Sequence, residues 1–188
     1  MLTLIIDTSH KFLAVGLADD QRGIIYSKQE QVKKKQSEML IPFIDEMMQD
    51  YAFKPSDIKR IVVTDGPGSY TGMRVGLTFV KTFALVNQDV KVYTVNTLLS
   101  LSGLRSGFSM IDARSGRVFG AFVESGEVNE EKIYELATIE KLNLKIHGDR
   151  QLLNLSIKTP NVIENIWEVK SFWRKVEDVD QLVPRYVK

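Results

Sequence analysis

The chain has 188 residues, 44% hydrophobic and 26% charged, enough to bury a core as one domain or two small ones. With 25 basic and 24 acidic residues the net charge is +1, so no charge excess points to nucleic acid or an anionic membrane surface. The absence of cysteine excludes disulfides, thiolate metal sites and a cysteine nucleophile, and the two histidines, His10 and His147, lie too far apart in sequence to form a metal motif.

Met1 to Ile6 lacks a basic start and reaches Asp7 too soon for a signal peptide. No segment approaches the roughly 18 to 20 apolar residues of a membrane span, so the cytoplasm is the expected compartment. Leu2 to Asp7 reads as a buried strand, Lys11 to Ala18 as a second, and Gly23 to Val32 as a third, with polar turns between them. The basic run Lys33-Lys34-Lys35 is expected to be a solvated turn rather than a phosphate-backbone contact. Ser37 then offers an N-cap, and Glu38 to Tyr51 has helical periodicity, with Pro42 tolerable near the first turn. Ile58 to Thr64 reads as a fourth strand, Thr71 to Asn87 as a second helix, Val90 to Val95 as a fifth strand and Thr97 to Leu104 as a short helix. This order predicts an α/β layer on a mixed sheet.

The chain then repeats itself. LIIDTSHKFLAVGLA can be set against SMIDARSGRVFGAFV, with Asp7 on Asp112 and a basic residue, Lys11 or Arg117, four or five positions later. The echo divides the chain at residues 1–104 and 105–188, the second part a reduced version of the first. Lys132 to Leu136 and Lys145 to Gly148 read as strands there, whereas Asn161 to Asp180 carries no clear pattern.

Between the fourth strand and the second helix lies GPGSYTGMRVGL. A Walker loop fails because Met73 and Arg74 follow Gly72, and the dinucleotide fingerprint fails because Thr71 takes the place of its third glycine. Two readings remain: an anion held by the helix N-terminus with Ser69 and Thr71, or a tight strand-to-helix turn, which is the expectation. The helix itself says more. Arg74, Thr78, Lys81 and Thr82 share one arc, and the remaining apolar arc spans roughly 200°, about twice the stripe of a one-sided surface helix. The first helix behaves likewise. Two such helices on one sheet face predict a second packing surface, and the methionines suit an adaptable partner. The residues expected to meet that partner are Met39, Phe43 and Met47 on the first helix, and Tyr70, Met73, Leu77, Val80 and Ala84 on the second.

The opening LIIDTS, the helix QSEMLIPFIDEMM, the stretch GPGSYTGMRVGL, MIDARSGRVFGAF and the closing VPRYVK together resemble the TsaB (YeaZ-like) family of bacterial tRNA threonylcarbamoyladenosine biosynthesis. The likeness is specific over residues 1–124, and the glycine stretch is its most diagnostic part. It implies an actin-like ATPase (ASKHA, ribonuclease H-like) fold of two duplicated subdomains. It also implies a non-catalytic subunit that pairs through these helices with TsaD, the transferase acting on N6 of the adenosine beside the anticodon in tRNAs reading ANN codons. In that family TsaE joins the pair, a homodimer forms when TsaD is absent, and tRNA is met only indirectly or weakly. No cofactor of its own is implied, ATP or ADP belonging to the interface with TsaD and TsaE. Family members tend to begin the first helix His-Ser where this chain has Gln36-Ser37, so the metal-binding histidine pair of TsaD is not expected here. Asp7, Thr8, Ser9 and Asp112 fall where actin-like ATPases meet phosphate or metal; a vestigial site, with the first three as a capped hairpin turn, is the expectation.

Two further readings compete with the scaffold. An autonomous actin-like ATP-binding enzyme would use Asp7 and Asp112 as its carboxylates. A peptidase would need a nucleophile–base pair or zinc set, and the sequence supports neither.

Overall fold

The structure, a computed structural model, describes residues 1–33 and 35–187. Lys34 of the basic run and Lys188 of the closing motif lie outside the described residues. Strands β1 (Leu2–Asp7), β2 (Phe12–Asp19) and β3 (Gly23–Gln31) form the expected antiparallel meander. Helix α1 (Gln36–Asp50) starts before the expected cap. Lys35, not Ser37, is the N-cap residue and makes no side-chain cap bond, while the buried Gln36 amide donates to the His10 carbonyl at 3.1 Å. Strand β4 (Arg60–Gly66) lies parallel to β1. After it come α2 (Tyr70–Val86), β5 (Lys91–Asn96), parallel to β4, and α3 (Thr97–Ser102).

The second half restarts the pattern. Strands β6 (Gly107–Arg114), β7 (Arg117–Glu124) and β8 (Glu127–Glu135) form another antiparallel meander. A short α4 (Leu136–Ile139) follows, and β9 (Ile146–Gly148) lies parallel to β6. The first sheet contains the run β4-β1-β2-β3, and the second sheet is ordered β9-β6-β7-β8. One topology is thus used twice, with Asp7 and Asp112 each near the end of its leading strand. The duplicated α/β fold expected from the sequence is present, its second copy reduced.

The division at residue 104 needs correction at the far end. Helix α5 (Val162–Glu168) packs on the first sheet, and β10 (Arg174–Lys175) extends that sheet by pairing antiparallel with β5. Residues 105–188 are therefore not one sheet unit. The returning helix escaped the sequence reading because it is short and its buried residues Val162, Ile163, Ile166 and Val169 are interleaved with Asn and Glu. It approaches β2 closely: a Cβ on Gly16 would lie 2.4 Å from Ile163 Cγ2.

The strand alternation sorts the core into layers. Leu4, Ile6, Val15, Ile61 and Val63 face α1 and α2, while Ile5, Ala14 and Val62 face α5 on the opposite side. Helix α3 lies between the sheets, with Leu98 and Leu101 against Ile111 and Ala121. Full burial of each of the leucine, isoleucine and valine side chains contributes on the order of 2 kcal/mol.

Candidate functional site

The β1–β2 turn and the glycine stretch are built around one carboxylate. Asp7 is 1% exposed. Its Oδ1 accepts from the Ser9 backbone N–H at 2.8 Å, Ser9 Oγ at 2.6 Å and Thr64 Oγ1 at 2.9 Å, and its Oδ2 accepts from Ser100 Oγ at 3.0 Å. Thr8 Oγ1 donates to the Gly72 carbonyl at 2.7 Å, and the Ser69 N–H donates to the Ser9 carbonyl at 2.7 Å. Ser69 caps α2 by accepting from the Gly72 N–H at 3.2 Å.

The glycines serve close approach of the chain to itself. A Cβ on Gly66 would stand 2.3 Å from the Arg185 carbonyl oxygen, on Gly68 2.2 Å from that of Ser9, and on Gly72 2.1 Å from that of Thr8. Each glycine meets protein backbone, and two of the N–H groups opening the helix are already engaged. The strand-to-helix turn is the reading this geometry supports.

A cleft between the two sheets has a volume of about 670 Å³ and is lined by Ser9, Lys11, Thr71, Asp112, Arg114 and Asp149, among others. Of the four residues placed in a vestigial phosphate site, it brings Ser9 and Asp112 together and leaves Asp7 and Thr8 buried behind them. Asp112 is exposed, and its Oδ1 accepts from the Arg114 N–H at 2.7 Å.

At the back of the cleft the sheets are joined through Asp149. Its Oδ1 meets His10 Nε2 at 3.1 Å and accepts from Lys11 Nζ at 2.8 Å, while its Oδ2 accepts from the Asp112 N–H at 3.0 Å. Burial works to raise this carboxyl, but the bonds from His10, Lys11 and the Asp112 backbone outweigh it and hold the group below the ordinary carboxylate range. A depressed folded value means the stabilisation is complete above the unfolded value near 3.8 and is lost progressively as the pH falls from there through the much lower folded value. Asp149→Asn is therefore expected to cost about 2 kcal/mol at pH 7 and about 1 kcal/mol less at pH 3, where the unfolded carboxyl is already largely protonated. Urea unfolding at the two pH values checks this, and an equal loss at both would contradict it.

The expected partner residues must be redistributed. Phe43, Met47, Met73, Leu77 and Val80 are all buried in the chain's own core and present no face to a partner. Met39 and Ala84 are half-buried against that core, and Tyr70 alone of the eight is well exposed, at 57%. The correction has a simple cause. A helical wheel finds how wide the apolar arc is, but not which part of it the chain's own sheet covers. Gly72 and Gly76 let α2 sink onto the β1–β2 turn, and Met73, Leu77 and Val80 go in with them.

The unfilled part of the arc lies beside these residues. Ile41 on α1 and Phe79, Phe83 and Val86 on α2 flank a groove of about 700 Å³ with Ile44 and Met48 also in its lining. A second hollow of about 510 Å³ continues it toward Tyr70 and Arg74, sharing Ile41, Phe79 and Thr82 with the first. Ile41 is 55% exposed and Val86 77%, so large apolar surface remains open along both helices.

The family described as "TsaD: tRNA N6-adenosine threonylcarbamoyltransferase" matches residues 22–147. The chain is 30% identical over 183 residues to the "tRNA threonylcarbamoyladenosine biosynthesis protein TsaB" of Bacillus subtilis (strain 168), covering 92% of this chain and 79% of that protein. It belongs to the TsaB (YeaZ-like) family. The protein of the same name from Escherichia coli (strain K12) is 26% identical over 134 residues, covering 68% of this chain and 57% of that one. The solved structure of YeaZ from Pseudomonas aeruginosa superposes with a TM-score of 0.76 at 19% identity, covering 99% of both chains, which establishes a shared fold.

Within this TsaB-family chain, two features had no counterpart in the sequence reading. The His10–Lys11–Asp149 junction joins residues 138 and 139 positions apart, and no local pattern announces it. The closing stretch VPRYVK carries a family likeness but no local signal of a role. In the structure Arg185 reaches Gly66 and Glu131, and the Tyr186 ring stacks on Tyr70. The open groove residues did have a signal, since all lie in the apolar arcs, but nothing in the sequence separated them from the core residues next to them.

Proposed function

We propose that this chain is a non-catalytic subunit in tRNA threonylcarbamoyladenosine biosynthesis that docks a TsaD-type partner along α1 and α2. The observation that carries this reading is the open apolar groove between the two helices, on the side turned away from the first sheet. A partner helix with an apolar stripe fits such a groove, as in other helix-in-groove pairs. The partner performs the transfer to N6 of the tRNA adenosine, TsaE joins the pair, and a homodimer uses the same face when TsaD is absent. The Asp7 carboxylate supports a structural role for its hairpin, because four protein donors already surround it. An autonomous ATP-binding enzyme using Asp7 and Asp112 is the second reading, and it gains less from a cleft that Asp7 does not line.

Mixing the chain with TsaD from the same organism tests the proposal by size exclusion and titration. Ile41→Glu and Val86→Glu, both at open positions, are expected to raise Kd at least about 100-fold, the loss of roughly 3 kcal/mol expected for a charge placed in an apolar interface. Their melting temperatures should stay near that of the parent chain. No complex with the parent chain, or full binding by both variants, would overturn the docking reading. ATP turnover by the chain alone, abolished by Asp112→Ala, would favour the enzyme instead.

A further inference from the structure

The last described residues hold the two sheets together at the start of α2. The Arg185 N–H donates to the Asp65 carbonyl at 2.8 Å, and its Nη2 donates to the Gly66 carbonyl at 2.9 Å. Its Nη1 donates to Glu131 Oε1 at 2.6 Å, so a single side chain bonds both β4 of the first sheet and β8 of the second. Glu131 is itself fixed from the first sheet, because Asn96 Nδ2 at the end of β5 donates to its other oxygen. Asp65 is buried and is also held by Arg174 Nη2 at 2.6 Å from β10. The Arg185 carbonyl fills the space a side chain on Gly66 would need.

The next residue extends the contact to the helix. The Tyr186 ring stacks on Tyr70 with centroids 5.5 Å apart and planes 19° from parallel. Tyr70 is the first residue of α2, and its hydroxyl accepts from Arg74 Nη1 at 3.1 Å. Tyr70 and Arg74 both line the end of the hollow that continues the α1–α2 groove. Both tyrosine rings remain about half exposed, so the stack adds an aromatic plate to that end of the groove.

We propose that residues 184–187 are a clamp that positions the docking face: Arg185 locks the two sheets at the glycine turn, and Tyr186 holds Tyr70 and Arg74 at the mouth of the groove. This rests on the reading that the groove docks a TsaD-type partner. It adds that the face is competent only while the C-terminal segment is seated. Arg185 and Tyr186 are positioning residues, acting through Gly66 and Tyr70.

Tyr186→Ala and Tyr186→Phe, titrated with TsaD beside the parent chain and Ile41→Glu, test the helix half of the clamp. An aromatic pair of this kind corresponds to roughly five- to tenfold in an equilibrium, so Tyr186→Ala is expected to weaken binding by about that factor and Tyr186→Phe to restore it. Because Tyr186 is exposed, the melting temperature should scarcely move. The sheet half is read in the free chain by hydrogen exchange: Arg185→Ala should speed exchange at residues 66–72 about tenfold or more, leaving β1 and β2 protected. If Ile41→Glu abolishes binding but Tyr186→Ala binds like the parent, the clamp is overturned and the docking reading stands. Unchanged exchange at 66–72 in Arg185→Ala likewise overturns it. If the parent chain itself does not bind TsaD, the docking reading fails, and the clamp's role in docking fails with it.

Discussion

Gly72→Ala is expected to destabilise the protein by about 3 kcal/mol or more, whereas alanine for glycine at an open helical position stabilises by about 1 kcal/mol. The sign reverses because of what the new methyl group meets. It would stand 2.1 Å from the Thr8 carbonyl oxygen and 3.2 Å from Ser69 Cβ, and a backbone carbonyl cannot swing aside as a side chain can. One turn later a Cβ on Gly76 would lie 2.6 Å from Thr8 Oγ1. To admit the methyl group, α2 must lift from the β1–β2 turn, stretching the Thr8–Gly72 bond and loosening Met73 and Leu77. Urea unfolding measures the loss, with Thr78→Ala on the exposed side of the same helix as a control expected to stay within about 0.5 kcal/mol. A neutral or stabilised Gly72→Ala would mean that α2 does not sit as closely on Thr8 as described.

Asp7→Ala should be as damaging, at about 3 kcal/mol or more, and its damage should appear as instability. The substitution removes the acceptor for the Ser9 N–H and for the hydroxyls of Ser9 and Thr64, all of them buried, while the Ser100 hydroxyl keeps the Thr97 carbonyl at 2.8 Å. Buried donors left without partners carry the full cost of having left water. Asp7→Asn keeps one oxygen and should lose less, while Asp7→Ala should melt far below the parent chain in a thermal scan. A stable Asp7→Ala protein would return the carboxylate to the list of groups available for chemistry. The two predictions concern one piece of architecture, since Thr8 and Ser9 connect the Asp7 hairpin to Gly72 and Ser69.

Much of this was written in local sequence. The run of β-branched residues, the alternation along β1 and β2 and the Ile-Asp echo were sufficient to place β1 to β5 and the duplication, because strand and turn preferences act over a few residues; β10 and the first half of β8 were not legible. The failure of the Walker and dinucleotide patterns was equally local, and the excess of apolar residues on both helices announced more apolar surface than one sheet covers. Tertiary structure decided how that excess is divided. Leu77 and Phe83 look alike on a helical wheel, yet one is buried in the core and the other flanks an open groove. The difference arises from the glycines of α2, which set how deeply the helix sits on a turn more than 60 residues earlier in the chain. The same holds for Asp149 with His10 and for Arg185 with Gly66 and Glu131, where a charged side chain acquires its role from residues that only folding brings within 3.2 Å. Short-range preferences choose the elements; burial and charge pairing between distant segments choose which of their faces remain for a partner.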